Sequence, residues 1–302
     1  MAKATIAIDI GGTKIAAMLI KEQQVLEKRR TDSVVHTNLA QLPDTLYKLC
    51  GDWITQADHL AIACTGQVRQ NEVGFLSAKL SIPLQDLLTE RFKLPLTIIN
   101  DAAAAVYAEY YLLQKQQRFV NKAPNLVYIT VSTGVGGGVI QNGQLVLADD
   151  GFCAHLGHLT VPMQQVTRRC HCGRLNCVEA IASGTAIAQQ VAELSGSFVD
   201  CATLFTAHPL ALETQLIVDR AATALVELIA NSKAWSGCQY LILGGSVGQS
   251  DLLFNLVERK LEALPNIYRP QLLRPACGTD ADLWGVYWYA MQLRQNHANH
   301  SL

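Results

Sequence analysis

Neither sign of charge prevails in this chain: 24 basic side chains against 25 acidic ones leave a formal charge of −1 over 302 residues. A surface built to neutralise a phosphate backbone needs a basic excess, so nucleic acid is not an expected partner. Long apolar runs are missing too. No stretch approaches the roughly 18 residues that a membrane-crossing helix requires. The opening apolar stretch meets the carboxylate of Asp9 too early to act as a signal-peptide core. A cytoplasmic protein without membrane contact is expected. Two nucleotide-binding signatures are also absent. There is no G-x-x-x-x-G-K-[S/T] run, and no glycine turn reads as the G-x-G-x-x-G opening of a βαβ unit, which disfavours P-loop and Rossmann enzymes.

Half the residues are apolar, enough for a large core, and a chain of this length is expected to divide into two domains. The apolar run Ala4 to Ile10, the turn Gly11-Gly12 and the run Ile15 to Ile20 predict two strands joined by a tight turn. From Asn125 to Val146 the same move returns: Leu126 to Val131, then Gly134, Gly136, Gly137 and Gly138, then a strand at Val139-Ile140 and an Asn142-Gly143 turn. This recurrence predicts two related α/β halves facing one another across a cleft. The boundary is expected near residue 120, giving domains 1–120 and 121–284 with a C-terminal helix 285–302 joining the first. Other expected elements are a strand at Leu96 to Asn100 and helices at Asp101 to Gln114, Ala180 to Leu194, Glu213 to Ser232, Leu252 to Leu264 and Ala281 to Leu293. A strand at Gln239 to Leu243 is expected to end in Gly244-Gly245.

The run Asp9-Ile10-Gly11-Gly12-Thr13-Lys14 places a carboxylate at a strand end, then a turn without side chains, then a hydroxyl and an amine. Backbone N–H groups at such glycines can approach phosphate oxygens, Thr13 and Lys14 can add donors, and Asp9 can hold Mg²⁺. A structural glycine hairpin with a capping Asp reads equally well from this segment alone. The second loop, Thr130 to Gly138, carries more glycines than a hairpin needs, and glycine weakens a strand, so a ligand is expected to offset that cost. Thr133, Gly134, Gly136, Gly137 and Gly138 are its candidate phosphate contacts. A third turn, Gly244 to Gly248, lies between a strand and a helix and suits an adenosine or its α-phosphate. Asp101 follows a strand and opens a helix. It can serve as a general base for an attacking hydroxyl, with Asn100 holding a neighbouring hydroxyl, or simply cap the helix.

Nine cysteines is an odd count, and three of them, Cys170, Cys172 and Cys177, crowd together downstream of His158. One imidazole and three thiolates match a closed tetrahedral Zn²⁺ site with no vacancy for water, which points to structure rather than hydrolysis. Three free thiols that happen to be close is the alternative. Gly173 and Asn176 are the residues inside the cysteine loop that tolerate positive φ, and His171 is expected to face solvent.

Taken together, Asp9 to Lys14, Asn100-Asp101, Thr130 to Gly138, Gly157-His158 and the run Cys170 to Glu179 resemble the ROK family of sugar kinases and repressors, along almost the whole chain. The resemblance implies a two-lobed actin/hexokinase-like (ribonuclease H-like) fold and an ATP-dependent sugar kinase with catalytic Mg²⁺ and structural Zn²⁺. It implies Asp101 as catalytic base and a sugar held by Gly66, Asn100, Asp101, His155, His158 and Glu179. A homodimer is expected on the same ground. With the phosphate loop starting at residue 9, no DNA-binding segment is expected ahead of it, which favours a kinase over a repressor. His155 stands where glucokinases of the family usually carry a glutamate; together with Ser132 to Gly138 and Val178 to Gly184 it looks like the branch acting on N-acetylmannosamine. The implied reaction transfers the γ-phosphate of ATP to the sugar 6-hydroxyl. One departure is the segment Gly74 to Leu84, which is shorter than its counterpart and has Lys79 or Ser81 in place of an expected asparagine loop. Another hexose (glucose, fructose or N-acetylglucosamine) or a non-catalytic sugar-binding protein are the alternatives.

Overall fold

In the computed structural model, residues 3–75, 80–120, 123–163, 166–206 and 210–300 are described. The chain forms two compact units: Met1–Arg118 with Leu147–Cys153 and Cys277–Leu302, and Phe119–Val146 with Ala154–Ala276. The first unit thus hands over after Arg118 and resumes at Cys277, where the sequence reading put 120 and 285, and it also takes in the short piece 147–153.

Unit 1 opens with β1 (Ala4–Ile10), β2 (Lys14–Lys21) and β3 (Gln24–Asp32), then α1 (Leu42–Cys50) and β4 (Ala57–Cys64). The short strands β5 (Gln67–Val68), β6 (Val73–Phe75) and β7 (Leu80–Ile82) follow, then α2 (Leu84–Phe92), β8 (Leu96–Asn100) and α3 (Asp101–Lys115). Its main sheet runs in the order β3-β2-β1-β4-β8. β1 pairs antiparallel with β2 and parallel with β4, which pairs parallel with β8. Strand β1 is buried on both faces, as a central strand flanked by a parallel neighbour must be. Its Ile6, Ile8 and Ile10 join Leu60, Ile62, Trp53 and Phe92 in one core. Edge strand β3 is exposed along most of its length and carries Glu27, Lys28, Arg29 and Arg30. Charges there protect an open edge from pairing with other chains.

Unit 2 contains β9 (Leu126–Val131), β10 (Val135–Gln141), β11 (Gln144–Leu145), α4 (Glu179–Ala182), α5 (Gly184–Ser195), α6 (Cys201–Thr206), α7 (Leu212–Ser236), β12 (Tyr240–Gly244), α8 (Asp251–Glu262) and β13 (Gln271–Leu273). Its sheet order is β11-β10-β9-β12-β13. The pairing repeats that of unit 1: two antiparallel ladders, then two parallel ones. The recurrence read from sequence is therefore a shared topology. Apolar residues of β9 and β12 pack with Ala221, Leu225 and Leu228 of α7 in a second core.

The last helix, α9 (Ala281–His300), returns to unit 1 and lies on α3, β1 and β4. It approaches α3 closely at Gly285, where a Cβ would fall 1.8 Å from the carbonyl oxygen of Ala104. The Ala-rich start of α3 and the missing side chain at Gly285 are the sequence features that allow this.

Two expectations are corrected. Gly136, Gly137 and Gly138 do not form a loop; they lie inside β10, opposite Thr130, Ile129 and Tyr128 of β9, and the turn is confined to 132–134. Packing accounts for Gly137, whose Cβ would come 2.4 Å from Leu156 Cγ. The single helix expected over Ala180 to Leu194 is two helices, because Ser183 is extended and its hydroxyl caps α5 by accepting from the Ala186 N–H.

Candidate functional site

The carboxylates of unit 1 gather at the carboxyl ends of its parallel strands, the side on which open α/β sheets usually bind ligands. Asp9 stands next to the end of β1 and pairs with Ala63 of β4, while Asn100 at the end of β8 pairs with Cys64. The turn after β1 is closed by the Gly11 N–H donating to Lys14 O at 3.0 Å, and His36 covers Gly12, where a Cβ would meet its Nε2 at 2.9 Å. Thr13 and Lys14 are exposed.

The helix start separates two roles that the sequence leaves open. The cap of α3 is Asn100, whose Oδ1 accepts from Ala102 N–H at 2.9 Å and Ala103 N–H at 3.2 Å. Its Nδ2 donates to Gly66 O at 3.0 Å. Asp101 is the first helical residue, with Oδ1 accepting from Ala102 N–H at 2.8 Å.

Sequence reasoning missed two further carboxylates, Asp280 and Asp282, at the start of α9. They read as ordinary helix-start acids, and only the fold brings them near Asp9 and Asp101. Asp280 is paired with Lys28 at 2.5 Å and Arg30 at 3.4 Å. Burial, followed by the charges of Asp101 and Asp280 and opposed by Arg30, pushes the Asp9 carboxyl up to about 7. Burial, then Asp9, Asp101 and Asp280, holds Asp282 well above the usual carboxylate range. Crowded oxygen ligands of one sign fit a hard divalent cation, whose charge would relieve the repulsion.

In unit 2 the second and third glycine turns meet. Val131 O, at the end of β9, accepts from Val247 N–H and Gly248 N–H, both at 3.0 Å. Gly245 adopts φ +81°, and a Cβ there would sit 2.3 Å from Val131 O, so this position admits no side chain. The turn Ser132–Gly134 is held from the other side by Glu179, whose Oε2 accepts from Val135 N–H at 3.1 Å.

The ligand atoms of His158, Cys170, Cys172 and Cys177 all lie within 4.8 Å of one another. Cys170 Sγ is 3.5 Å from His158 Nδ1, and Cys172 Sγ is 3.6 Å from Cys177 Sγ. A tetrahedron with metal–sulfur bonds of about 2.3 Å and a metal–nitrogen bond of about 2.0 Å has edges of roughly 3.5–3.8 Å, so the four donors fit such an ion. Burial pushes the Cys177 thiol up to about 12, with the Cys172 hydrogen bond as the next contribution. Gly173 at φ +91° and Asn176 at φ +56° make the tight turns the spacing predicts, and His171 is exposed. His155 stacks on His158 with ring centroids 6.3 Å apart. Ser81 is exposed on β7, and Lys79 lies outside the described residues.

A family model described as the ROK family matches residues 5–292. The chain belongs to the ROK family. A protein of Escherichia coli (strain Crooks) named N-acetylmannosamine kinase is 39% identical over 291 residues, covering 93% of this chain and 96% of that protein. The ROK hexokinase of Thermus thermophilus superposes with a TM-score of 0.73 at 25% identity, covering 96% of this chain and 99% of that one. A ROK family glucokinase from Streptomyces griseus, solved with glucose and AMPPNP, gives 0.77 at 24% identity with the same coverage of 96% and 99%. The chain thus has the actin/hexokinase-like α/β fold of ROK proteins. Among the described residues, no helix is long and apolar enough to cross a membrane.

Proposed function

We propose that this ROK protein is an ATP-dependent sugar kinase that phosphorylates N-acetylmannosamine at its 6-hydroxyl, acting in the cytoplasm as a homodimer in sialic acid breakdown. The observation that carries the reading is the likeness, along nearly the whole chain, to a protein named N-acetylmannosamine kinase. The carboxylate of Asp101 supports it chemically: Asn100 already caps α3, so Asp101 is not needed as the N-cap.

In this reading Asp101 accepts the proton of the sugar hydroxyl as its oxygen attacks the γ-phosphorus, and the bond to the ADP oxygen breaks. Asp9 holds Mg²⁺, which when bound neutralises charge on the phosphate oxygens. Backbone N–H groups at Gly12 and Gly134, with the side chains of Thr13, Lys14 and Thr133, bind phosphate, while Gly11 holds the first turn closed through its bond to Lys14 O. The turn at Gly244 and Gly245 holds the nucleoside end, its missing side chains letting it pack against Tyr128 and Val131. Gly136, Gly137 and Gly138 support the turn from inside β10. Gly66, Asn100, His155, His158 and Glu179 hold the sugar. The Cys/His group takes Zn²⁺, the ion that three thiolates and one imidazole suit, and with all positions filled it is structural.

The test is ADP release by the purified protein with Mg²⁺ and ATP across N-acetylmannosamine, N-acetylglucosamine, glucose, mannose and fructose. Selective turnover of N-acetylmannosamine is expected. Turnover of a different sugar would refute the substrate, and silence on all five the activity.

A further inference from the structure

The segment from Cys177 to Thr185 connects the Cys/His cluster to the glycine turn of unit 2. Cys177 is one of the cluster's ligand residues. Glu179, two positions on, opens α4 and accepts from Val135 N–H at 3.1 Å through Oε2. Its other oxygen, Oε1, lies 3.9 Å from Cys170 Sγ. A Cβ on Gly134 would stand 2.8 Å from Oε2, so the turn rests directly on this carboxylate. Further along the segment, Gly184 N–H donates to Ser132 O at 2.8 Å and Thr185 N–H to Thr133 O at 3.4 Å. Each residue from Ser132 to Val135 therefore touches a strap whose first residue is a cluster ligand.

A carboxylate accepting a backbone N–H makes a stronger hydrogen bond than a neutral acceptor, and a fixed carboxylate fixes the N–H. The position of Glu179 is set from two directions: Cys177 anchors the chain two residues before it, and the Val135 N–H holds its Oε2. Without an assembled cluster, the strap loses its anchor, and Glu179, the one side-chain acceptor that reaches the turn among the described residues, is no longer held in place.

We infer that Glu179 is a positioning residue through which the assembly of the His158–Cys170–Cys172–Cys177 cluster sets the conformation of the turn Ser132–Val135. Its consequence for nucleotide rests on the proposed reading of that turn as a phosphate cradle; its consequence for the turn itself does not.

The experiment is amide hydrogen exchange on the full-length protein, with zinc content and ADP affinity measured alongside. Wild type is compared with Glu179→Ala, Glu179→Gln and wild type treated with a chelator. Loss of one hydrogen bond to a charged acceptor should speed local exchange at Val135 about tenfold in Glu179→Ala, with ADP binding weakened by a similar factor. Glu179→Gln, which keeps an acceptor, should restore most of the protection. Chelated wild type should show the same fast exchange at Val135 while Ile62, in the core of unit 1, stays protected. Wild-type exchange at Val135 in Glu179→Ala overturns the role of Glu179, and wild-type exchange in the chelated protein overturns the link to the cluster. Because exchange is read without nucleotide, a wild-type protein that binds no ADP would sink the kinase reading alone.

Discussion

Asp101 and Asp9 are adjacent carboxylates with opposite expected responses to substitution. Asp101→Asn removes the proposed base but keeps the shape at the start of α3, where Asn100 supplies the cap. Turnover should fall by roughly 10²–10⁴-fold, the usual size of a general-base contribution. Its melting temperature should stay near that of the wild type; unchanged turnover would refute the assignment. Asp9 carries a stability cost instead. Its carboxyl is pushed up to about 7, above the usual carboxylate value, by burial and then by the Asp101 and Asp280 charges. The folded protein therefore holds this proton more tightly than the unfolded chain, and stability falls as pH rises from about 4 to about 7. In Mg²⁺-free buffer Asp9→Asn should melt a few degrees above wild type at pH 8, and the gap should vanish near pH 4. A thermal melt series over pH checks this; an equal gap at both ends would overturn it.

The same residues mark how far the sequence could be read. Asp9, Asn100 and Asp101 stand out because each sits where a strand ends in a glycine turn or a helix. Asp280 and Asp282 do not stand out, since acids in a first helical turn are favoured for local electrostatic reasons alone. Only the return of α9 to β1 and β4 gives them a second meaning.

At the scale of elements, strands with uniform apolar character and the Ala-rich α3 were legible, because burial on both faces and helix propensity leave plain patterns. β3 was not. Its run Glu27-Lys28-Arg29-Arg30 has no apolar alternation, and only pairing with β2 makes it a strand. β10 was misjudged because glycines inside a strand look like a loop until Leu156 is seen to need the space. The cysteine loop was legible in detail, since ligand spacing and turn residues act locally. Cys172→Ser should lose the metal and lower the melting temperature, because a structural ion contributes folding energy directly. Metal analysis of the wild-type protein showing no zinc would end that expectation. Where α9 crosses α3, Gly285→Ala should destabilise the protein by about 1–3 kcal/mol or more, the cost of overpacking against backbone that cannot move aside. A denaturant titration showing no loss would mean that the helices can separate at little cost.

On the scale of the whole molecule, each unit has its own sheet, order and core, and the resemblance between the two topologies was the part of the fold that the sequence carried most openly. The place where the units exchange chain was less open, since the piece 147–153 carries no pattern of its own. The Cys/His cluster proposed to hold zinc lies in unit 2 alone. Chelation should therefore speed amide exchange around the cysteine loop and the turn after β9, and leave β1, β4 and β8 near their original protection.

The return of α9 to the first sheet also sets an order of events during synthesis. The ribosome releases β1 to α3 early, then the whole of unit 2, and only afterwards the helix that covers α3, β1 and β4. Unit 2 can reach its final contacts while unit 1 still waits, with the buried face of α3 uncovered for as long as more than half the chain takes to be made. Contacts between such distant segments form slowly, and the uncovered surface is prone to aggregation meanwhile. The strands of unit 1 that are made before unit 2 are thus finished after it, and a nascent chain stalled before residue 281 should engage chaperones through unit 1.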